Sequence, residues 1–151
     1  MRIVRISPNG LEFIKHWEKF RSKPYKDSSG VPTIGFGSTY YPNGERVRLT
    51  DPEITLEQGL EIYHDNLLIY QIAVDSFTRD DINQNQFDAL VSFAYNVGIQ
   101  ALKTSKLLRL INENPNDPEI AKQFLRWVYD EGRKVKGLIN RRNAEINLYF
   151  S

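Results

Sequence analysis

The sequence contains no cysteine. That absence excludes a disulfide framework, a thiol nucleophile and a cysteine-ligated zinc site. Histidine is nearly as scarce. Only His16 and His64 are present, no third ligand stands near either in the sequence, and a metal centre is not expected. No apolar run approaches the ~18 residues that a membrane-spanning helix needs. The first ten residues, MRIVRISPNG, carry two arginines but lack the apolar run of ~7–15 residues that marks a secretory signal. A G-x-S-x-G elbow with Ser, His and Asp partners is also missing, which argues against acyl transfer. Nor is there a large excess of charge of one sign. The net charge is +1, whereas a general nucleic-acid-binding domain is strongly basic.

What is present is 151 residues, 40% hydrophobic and 12% aromatic. This is enough for one globular domain, in one or two lobes, that buries about 70% of its unfolded surface. The charge is unevenly spread. Residues 1–50 hold nine Lys/Arg against four Asp/Glu, residues 51–100 one against nine, and residues 101–151 ten against six. The ends are basic and the middle is acidic, so a local basic face could still meet an anionic polymer.

Ser7-Pro8 reads as an N-cap and first helical position, with a helix to about Arg21 that Pro24 prevents from continuing. From Tyr25 to Val47, glycines and prolines punctuate short β-type pieces, and Pro42-Asn43-Gly44-Glu45 is a tight turn between them. Thr55 with Gln58 forms a capping box. Leu56, Leu60, Tyr63, Leu67, Val74 and Phe77 then recur at helical spacing, and about 20 residues of helix span ~30 Å, long enough to connect two lobes. Asn83 with Gln86 opens another helix with Phe87, Leu90, Val91, Ala94 and Val97 on its apolar face, and Gly98 ends it. Further helices are expected over Ser105 to Asn112, from Asp117-Pro118 onward with Ile120, Phe124 and Val128 inward, and from about Leu138 to Tyr149. The fold class is α+β: a small N-terminal sheet lobe and a larger helical lobe.

Three residues point to chemistry. Glu18 lies four residues after Ile14 and seven after Leu11, on or beside an apolar stripe, with Trp17 and Phe20 close by. Such surroundings favour the protonated carboxyl that a general acid needs. The alternative is a boundary glutamate paired with Arg21 or Lys15. Asp27 stands in a polar turn with Ser28, Ser29 and Gly30, where a carboxylate stays ionised; ordinary turn chemistry explains it as well. In an extended strand over TIGFG, Thr33, Gly35 and Gly37 share one nearly bare face, with the Thr33 hydroxyl aimed from it. A glycine-rich strand that bends or bulges is the alternative. Taken together, a protonated Glu, an ionised Asp and a nearby hydroxyl match the two-carboxylate logic of glycoside hydrolysis, in which no metal or organic cofactor is required.

The run Glu18-x6-Tyr25-x-Asp27-x2-Gly30-x2-Thr33-Ile34-Gly35-x-Gly37-x-Thr39 resembles the active-site segment of the phage-type lysozymes (endolysins, glycoside hydrolase family 24). The run Gln86-Phe87-Asp88-Ala89-Leu90-Val91-Ser92-Phe93-Ala94-Tyr95-Asn96-Val97-Gly98 resembles their central helix, Ser105 with Leu107-Leu108 a Ser-x-Leu-Leu helix start, and Gly137-Leu138-Ile139-Asn140-Arg141-Arg142-x2-Glu145 their C-terminal signature. The resemblance covers Gly10 to Tyr149. It implies a lysozyme-like fold, with a sheet lobe over about residues 10–55, a connecting helix over 55–77 and a helical lobe over 78–151. It implies a muramidase that hydrolyses the β-1,4 bond between N-acetylmuramic acid and N-acetylglucosamine in peptidoglycan, with inversion at the anomeric carbon. Glu18 would be the acid, Asp27 the second carboxylate and Thr33 the residue that orders water; Thr39, Tyr95 and Ser105 would contact sugar. Tyr95 also fits helix core, and Ser105 an N-cap. The partner is the peptidoglycan glycan strand, without cofactor, nucleic acid or membrane insertion. A monomer is expected, made in the host cytoplasm and released to the wall through a holin. The other readings are a peptidoglycan-binding or phage structural module without catalysis, a lytic transglycosylase that needs only the acid, and a helical nucleic-acid binder.

Two departures from the family pattern stand out. Lys19 replaces a Gly that often follows the catalytic Glu, and Ser38 replaces a His with a structural role. Trp127, beside Phe124 and Val128, reads as core. Glu53, Glu57, Glu61 and Asp65 recur every four residues as a solvated acidic face. Arg133, Lys134, Lys136, Arg141 and Arg142 form a basic C-terminal cluster that either attracts the anionic wall or is simply solvated; Arg141, as part of the signature, also fits a structural role.

Overall fold

Helix α1 runs Pro8–Glu18 in the computed structural model, which describes residues 2–151. The Ser7 cap is present, its hydroxyl oxygen accepting from the Gly10 N–H at 3.0 Å. The helix stops three residues short of the expected Arg21. Lys19 turns into the left-handed region, with φ 52°, while its N–H still reaches the Lys15 carbonyl at 2.9 Å. This is a left-handed C-terminal cap with lysine where glycine is usual. Pro24 therefore terminates nothing. It lies inside β1 (Arg21–Lys26), where its missing N–H removes one ladder donor, and the register with the next strand shifts between Arg21 and Tyr25.

Strand β2 (Pro32–Gly35) pairs antiparallel with β1 in the register Arg21↔Gly35, Tyr25↔Thr33, Lys26↔Pro32. The extended TIGFG strand expected from the sequence is not formed. Gly35 and Gly37 have φ 66° and 83°, and the chain folds back so that Ile34 and Ser38 bridge each other. The clean alternation of faces thus ends at Gly35. Gly35 also lies against Gly59, where a Cβ would stand 3.7 Å from the Gly59 Cα. The turn expected at residues 42–45 is present, with Tyr40 bridging Arg46 and the Gly44 N–H bonded to the Tyr41 carbonyl at 2.9 Å.

Helix α2 (Leu56–Phe77) opens with the expected capping box. The Gln58 N–H donates to Thr55 Oγ1 at 3.1 Å, and the Thr55 N–H to Gln58 Oε1 at 2.8 Å. Of its apolar stripe, Tyr63, Leu67 and Val74 are buried, whereas Leu56 in the first turn is exposed. The acidic row Glu53, Glu57, Glu61 and Asp65 is exposed along its length. Then follow α3 (Gln84–Val97), α4 (Ile99–Thr104), α5 (Lys106–Glu113), α6 (Glu119–Phe124), the short strands β3 (Tyr129–Asp130) and β4 (Arg133–Lys134), and α7 (Lys136–Tyr149). The α4 helix and the β3–β4 hairpin are additions to the sequence-derived scheme. The Asn83–Gln86 capping box and the Gly98 C-cap, φ 103°, are as expected.

The chain divides into two units. One, the sheet unit, is Glu12–Ile69; the other, the helical unit, joins the residues up to Leu11 with Tyr70–Ser151. The core of the sheet unit is Ile14, Ile34, Phe36, Val47, Ile62, Tyr63 and Leu67. Phe36 stacks at 5.4 Å on both Phe20 and Tyr63. Ser38, in place of a larger side chain, is buried and accepts at 3.3 Å from the Asn66 amide, which also donates to the Tyr40 and Ile62 carbonyls.

In the helical unit, α3 is buried on all sides from Gln86 to Ala94 rather than along one stripe. Its polar side chains must therefore find internal partners. Asp88 accepts from the Ser7 N–H and hydroxyl and from the Gln84 amide. Ser92 donates to Glu145 Oε2 at 2.6 Å. Glu145 in turn holds Arg142, Nε to Oε1 2.7 Å, and Arg141, Nε to Oε2 3.5 Å. Arg142 also donates from Nη2 to Glu145 Oε2 at 3.3 Å. Arg141 and Arg142 thus leave the basic cluster expected from the sequence. Both are buried, and Arg142 also donates to the Asn96 side chain and covers the Phe93 ring. Trp127 packs edge-on against Phe93 at 5.7 Å.

Candidate active site

Glu18, Asp27, Thr33 and Thr39 all lie in the sheet unit; Tyr95 and Ser105 lie in the helical unit. Glu18 is the last residue of α1 and is half-buried. The left-handed turn at Lys19 sends the chain directly from it into β1. Of the cations next to Glu18 in sequence, Lys15 pairs with Glu12 at 2.8 Å, and Arg21 lies over the Tyr25 ring, 4.1 Å from its centroid.

Asp27 closes the β1–β2 turn. Its Oδ1 accepts from the backbone N–H groups of Ser29 and Val31, both at 2.9 Å. The Asp27 N–H bonds to the Val31 carbonyl, and the Gly30 N–H to the Asp27 carbonyl. Gly30, φ 82°, supplies the left-handed step. One carboxylate oxygen thus fixes the side chain. The other, Oδ2, has no hydrogen-bond partner among the described residues. Thr33 is 3% exposed, and its hydroxyl donates to the Val31 carbonyl at 2.8 Å. The proton of that hydroxyl is committed, and its lone pairs remain to accept.

Tyr25 brings the pieces together. It faces Thr33 across the hairpin, and it stands two residues before Asp27, which follows the end of β1. Burial raises its phenol pKa above the ordinary value, the negative charge of Glu18 adds to that, the Arg21 cation opposes it, and Asp27 raises it further. Both carboxylates therefore act on one hydroxyl. The sequence run that singled out Glu18 and Asp27 contains Tyr25 without a role for it; its position opposite Thr33 is set by pairing register, which no local pattern reveals. Thr39 is half-buried, its carbonyl accepting from the Val47 N–H.

Ser105 is 8% exposed. Its hydroxyl caps α5 by accepting from the Leu108 N–H at 3.0 Å and donates to the Leu102 carbonyl at 2.8 Å. Tyr95 is half-buried, its ring 5.0 Å from that of Tyr70. No group of three or more His, Asp or Glu side chains that could hold a metal ion occurs among the described residues. None of their helices is long and apolar enough to cross a membrane.

Residues 15–145 match the profile of the phage lysozyme family. The chain belongs to the phage lysozyme family. The endolysin of Salmonella phage P22 is 37% identical over 149 residues, covering 99% of this chain and 100% of that protein. The endolysin of Bacillus phage B103 is 38% identical over 98% of this chain, which spans only 55% of that relative's length. Among solved structures, the endolysin from Escherichia coli O157:H7 phage FAHEc1 superposes with a TM-score of 0.85 at 34% identity, covering 97% of this chain and 94% of that one. Phage lysozymes are glycoside hydrolases of the muramidase class, and the α+β fold expected from the sequence is the one they share.

Proposed function

We propose that this phage lysozyme hydrolyses the β-1,4 bond between N-acetylmuramic acid and N-acetylglucosamine in peptidoglycan. Glu18 is the general acid that protonates the leaving oxygen, and Asp27 the carboxylate that takes a proton from the attacking water. What supports this reading is the placement of the residues: Glu18 at the end of α1 where the chain enters β1, Asp27 in the β1–β2 turn with one oxygen held by the Ser29 and Val31 N–H groups, and Thr33 at the start of β2. Thr33 suits the positioning of the water. With its proton given to Val31, its hydroxyl oxygen accepts one hydrogen of the water while Asp27 Oδ2 accepts the other. No step calls for a cofactor.

Thr39 and Tyr95 offer sugar contacts, a hydroxyl and an aromatic ring. The Ser105 hydroxyl is already engaged in capping, so its contribution to binding is through the placement of α5. A phage endolysin acts on the wall from within the infected cell. On that reading the chain is made in the host cytoplasm, works as a monomer and reaches the wall with the help of a holin.

The test is digestion of purified peptidoglycan with reducing ends and product masses as readouts. The wild type releases muropeptides with free reducing ends, and Glu18→Gln and Asp27→Asn each lose at least about 100-fold in rate. Anhydro-muramyl products would establish a transglycosylase instead. Binding without release by wild type and variants alike would establish a wall-binding module.

A further inference from the structure

Two Asn-Gly steps occur in the sequence, Asn9-Gly10 and Asn43-Gly44. Such a step is chemically distinctive. The backbone nitrogen after an asparagine can attack the carboxamide carbon of that asparagine, and glycine presents the nitrogen with no Cβ beside it to block the approach. By sequence the two steps are equivalent; the structure separates them.

Asn9-Gly10 lies in the first turn of α1. Gly10 is buried, its N–H donates to Ser7 Oγ at 3.0 Å, and a Cβ built on it would stand 2.6 Å from Asp88 Cγ and from Ile6 Cγ1. Bringing the Asn9 carboxamide carbon onto the Gly10 nitrogen needs a large rotation about the Asn9 ψ angle, out of the helical well. That rotation breaks the cap and the first turn of the helix while Gly10 is packed against Asp88.

Asn43-Gly44 lies at the tip of the turn that the Tyr40–Arg46 bridge closes. Both residues are exposed, and nothing stands within 4 Å of a Cβ built on Gly44, φ 87°. The Glu45 N–H donates to Asn43 Oδ1 at 2.9 Å. That oxygen gains negative charge when the carboxamide carbon is attacked, so a donor already stands where charge develops. The Gly44 N–H is bonded to the Tyr41 carbonyl at 2.9 Å, an exposed turn bond of the kind that opens at low cost.

We propose that Asn43 is the residue at which this chain modifies itself, losing its side-chain amide as ammonia through a cyclic imide with Gly44. The Gly44 nitrogen gives its proton to solvent and bonds to Asn43 Cγ. The Cγ–Nδ2 bond breaks, and ammonia leaves with a proton taken from water. Water then opens the ring. Addition at Cγ gives aspartate; addition at the backbone carbonyl carbon gives isoaspartate, in which the chain runs through Cγ and is one carbon longer. In sum, one water enters and one ammonia leaves. Either product carries a carboxylate in place of a neutral amide, which takes the net charge from +1 to zero. Isoaspartate also lengthens the backbone inside the Tyr40–Arg46 bridge.

The experiment is peptide mapping by mass spectrometry of the full chain held warm in mildly alkaline buffer, folded and in urea. Trypsin cuts after lysine and arginine, so the two asparagines fall in separate peptides, residues 6–15 and 27–46, each with no other asparagine. In the folded chain the 27–46 peptide is expected to gain one mass unit, placed at residue 43 by fragmentation and divided between two separable products. The 6–15 peptide should convert at least about tenfold more slowly, because its helix must open first. In urea both should convert at similar rates. Asn43→Gln, folded by circular dichroism, should keep its mass, since a longer side chain closes the ring far less readily.

Equal conversion of Asn9 and Asn43 in the folded chain overturns the proposal, as does faster conversion of any other asparagine. So does a 27–46 peptide that keeps its mass when folded while it converts in urea. Asn9 staying inert in urea would trace the contrast to local sequence rather than to the fold and overturns it too. Aspartate at residue 43 without isoaspartate would overturn the cyclic imide.

Discussion

Replacing Glu145 with Gln tests the buried ionic cluster of the helical unit. The carboxylate is fully buried, with Arg142 at 2.7 Å, Arg141 at 3.5 Å and the Ser92 hydroxyl at 2.6 Å. Burial pushes the Glu145 carboxyl up, against the two guanidinium groups that pull it down. Gln keeps the shape and one acceptor, so the Ser92 hydrogen bond can survive. What disappears is the negative charge that both guanidinium groups contact. Breaking a buried pair in this way costs about 3–5 kcal/mol, a large share of a total stability of about 5–15 kcal/mol. For a chain of this length each kcal/mol moves Tm by roughly 2–4 °C, which places the drop at about 6–20 °C.

Adding Arg142→Met to Glu145→Gln removes one of the two cations that contacted the lost charge, and the double variant should recover at least about 1 kcal/mol relative to Glu145→Gln alone. Chemical denaturation and thermal melts measure both values. A Glu145→Gln chain within about 1 kcal/mol of the wild type, or a double variant less stable than the single one, would refute the argument that charge compensation holds this cluster.

Lys19→Gly should stabilise the chain by up to about 1 kcal/mol, because the left-handed cap at φ 52° costs a side-chain-bearing residue about 1–2 kcal/mol and glycine's extra unfolded entropy returns part of that; a melt gives the sign. Gly10→Ala should destabilise by about 1–3 kcal/mol, since its Cβ would stand 2.6 Å from Asp88 Cγ and from Ile6 Cγ1, again read by denaturation. Asp51 is held below the usual carboxylate range by the Arg48 N–H and then by the Tyr41 hydroxyl. Its contribution is therefore present above the unfolded value and lost as pH falls through the lower folded one. Asp51→Asn should flatten the acid limb of the stability–pH curve. At the other extreme, burial and the bond to Asp51 push the Tyr41 phenol up to about 12. That contribution is complete below the ordinary phenol value and fades as pH rises towards 12, and Tyr41→Phe should lessen the alkaline decline, the buried Tyr25 and Tyr149 phenols keeping their share.

The helix starts were legible because a cap is a bond between neighbours in sequence. Ser7, Thr55 with Gln58, and Asn83 with Gln86 all form the contacts their spacing promises. Features fixed by distant partners were not. The end of α1 was hidden because lysine seldom takes the left-handed cap, and Phe20 prolongs the apolar pattern past it. The fold-back at Gly35 and Gly37 was hidden because alternation presumes an extended backbone. Arg141 and Arg142 were grouped with the basic C-terminal cluster, with a structural role open for Arg141 alone, because the carboxylate that holds them inside becomes relevant only once α7 packs on α3. At the candidate site, the residue types and turn chemistry of Glu18, Asp27 and Thr33 were readable. The place of Tyr25 among them depends on the bulged register of β1 against β2.

The attachment of Ser7 to Asp88 has a consequence for biosynthesis. The bond closes a loop of 81 residues, so the opening segment emerges from the ribosome long before its partner exists. The stretch Glu12–Ile69 is contiguous and can assemble as soon as it is translated, whereas the other unit must wait for its own beginning to be recaptured. A leading segment left waiting in this way is open to proteases and chaperones, and a fragment truncated before Asp88 should never secure it.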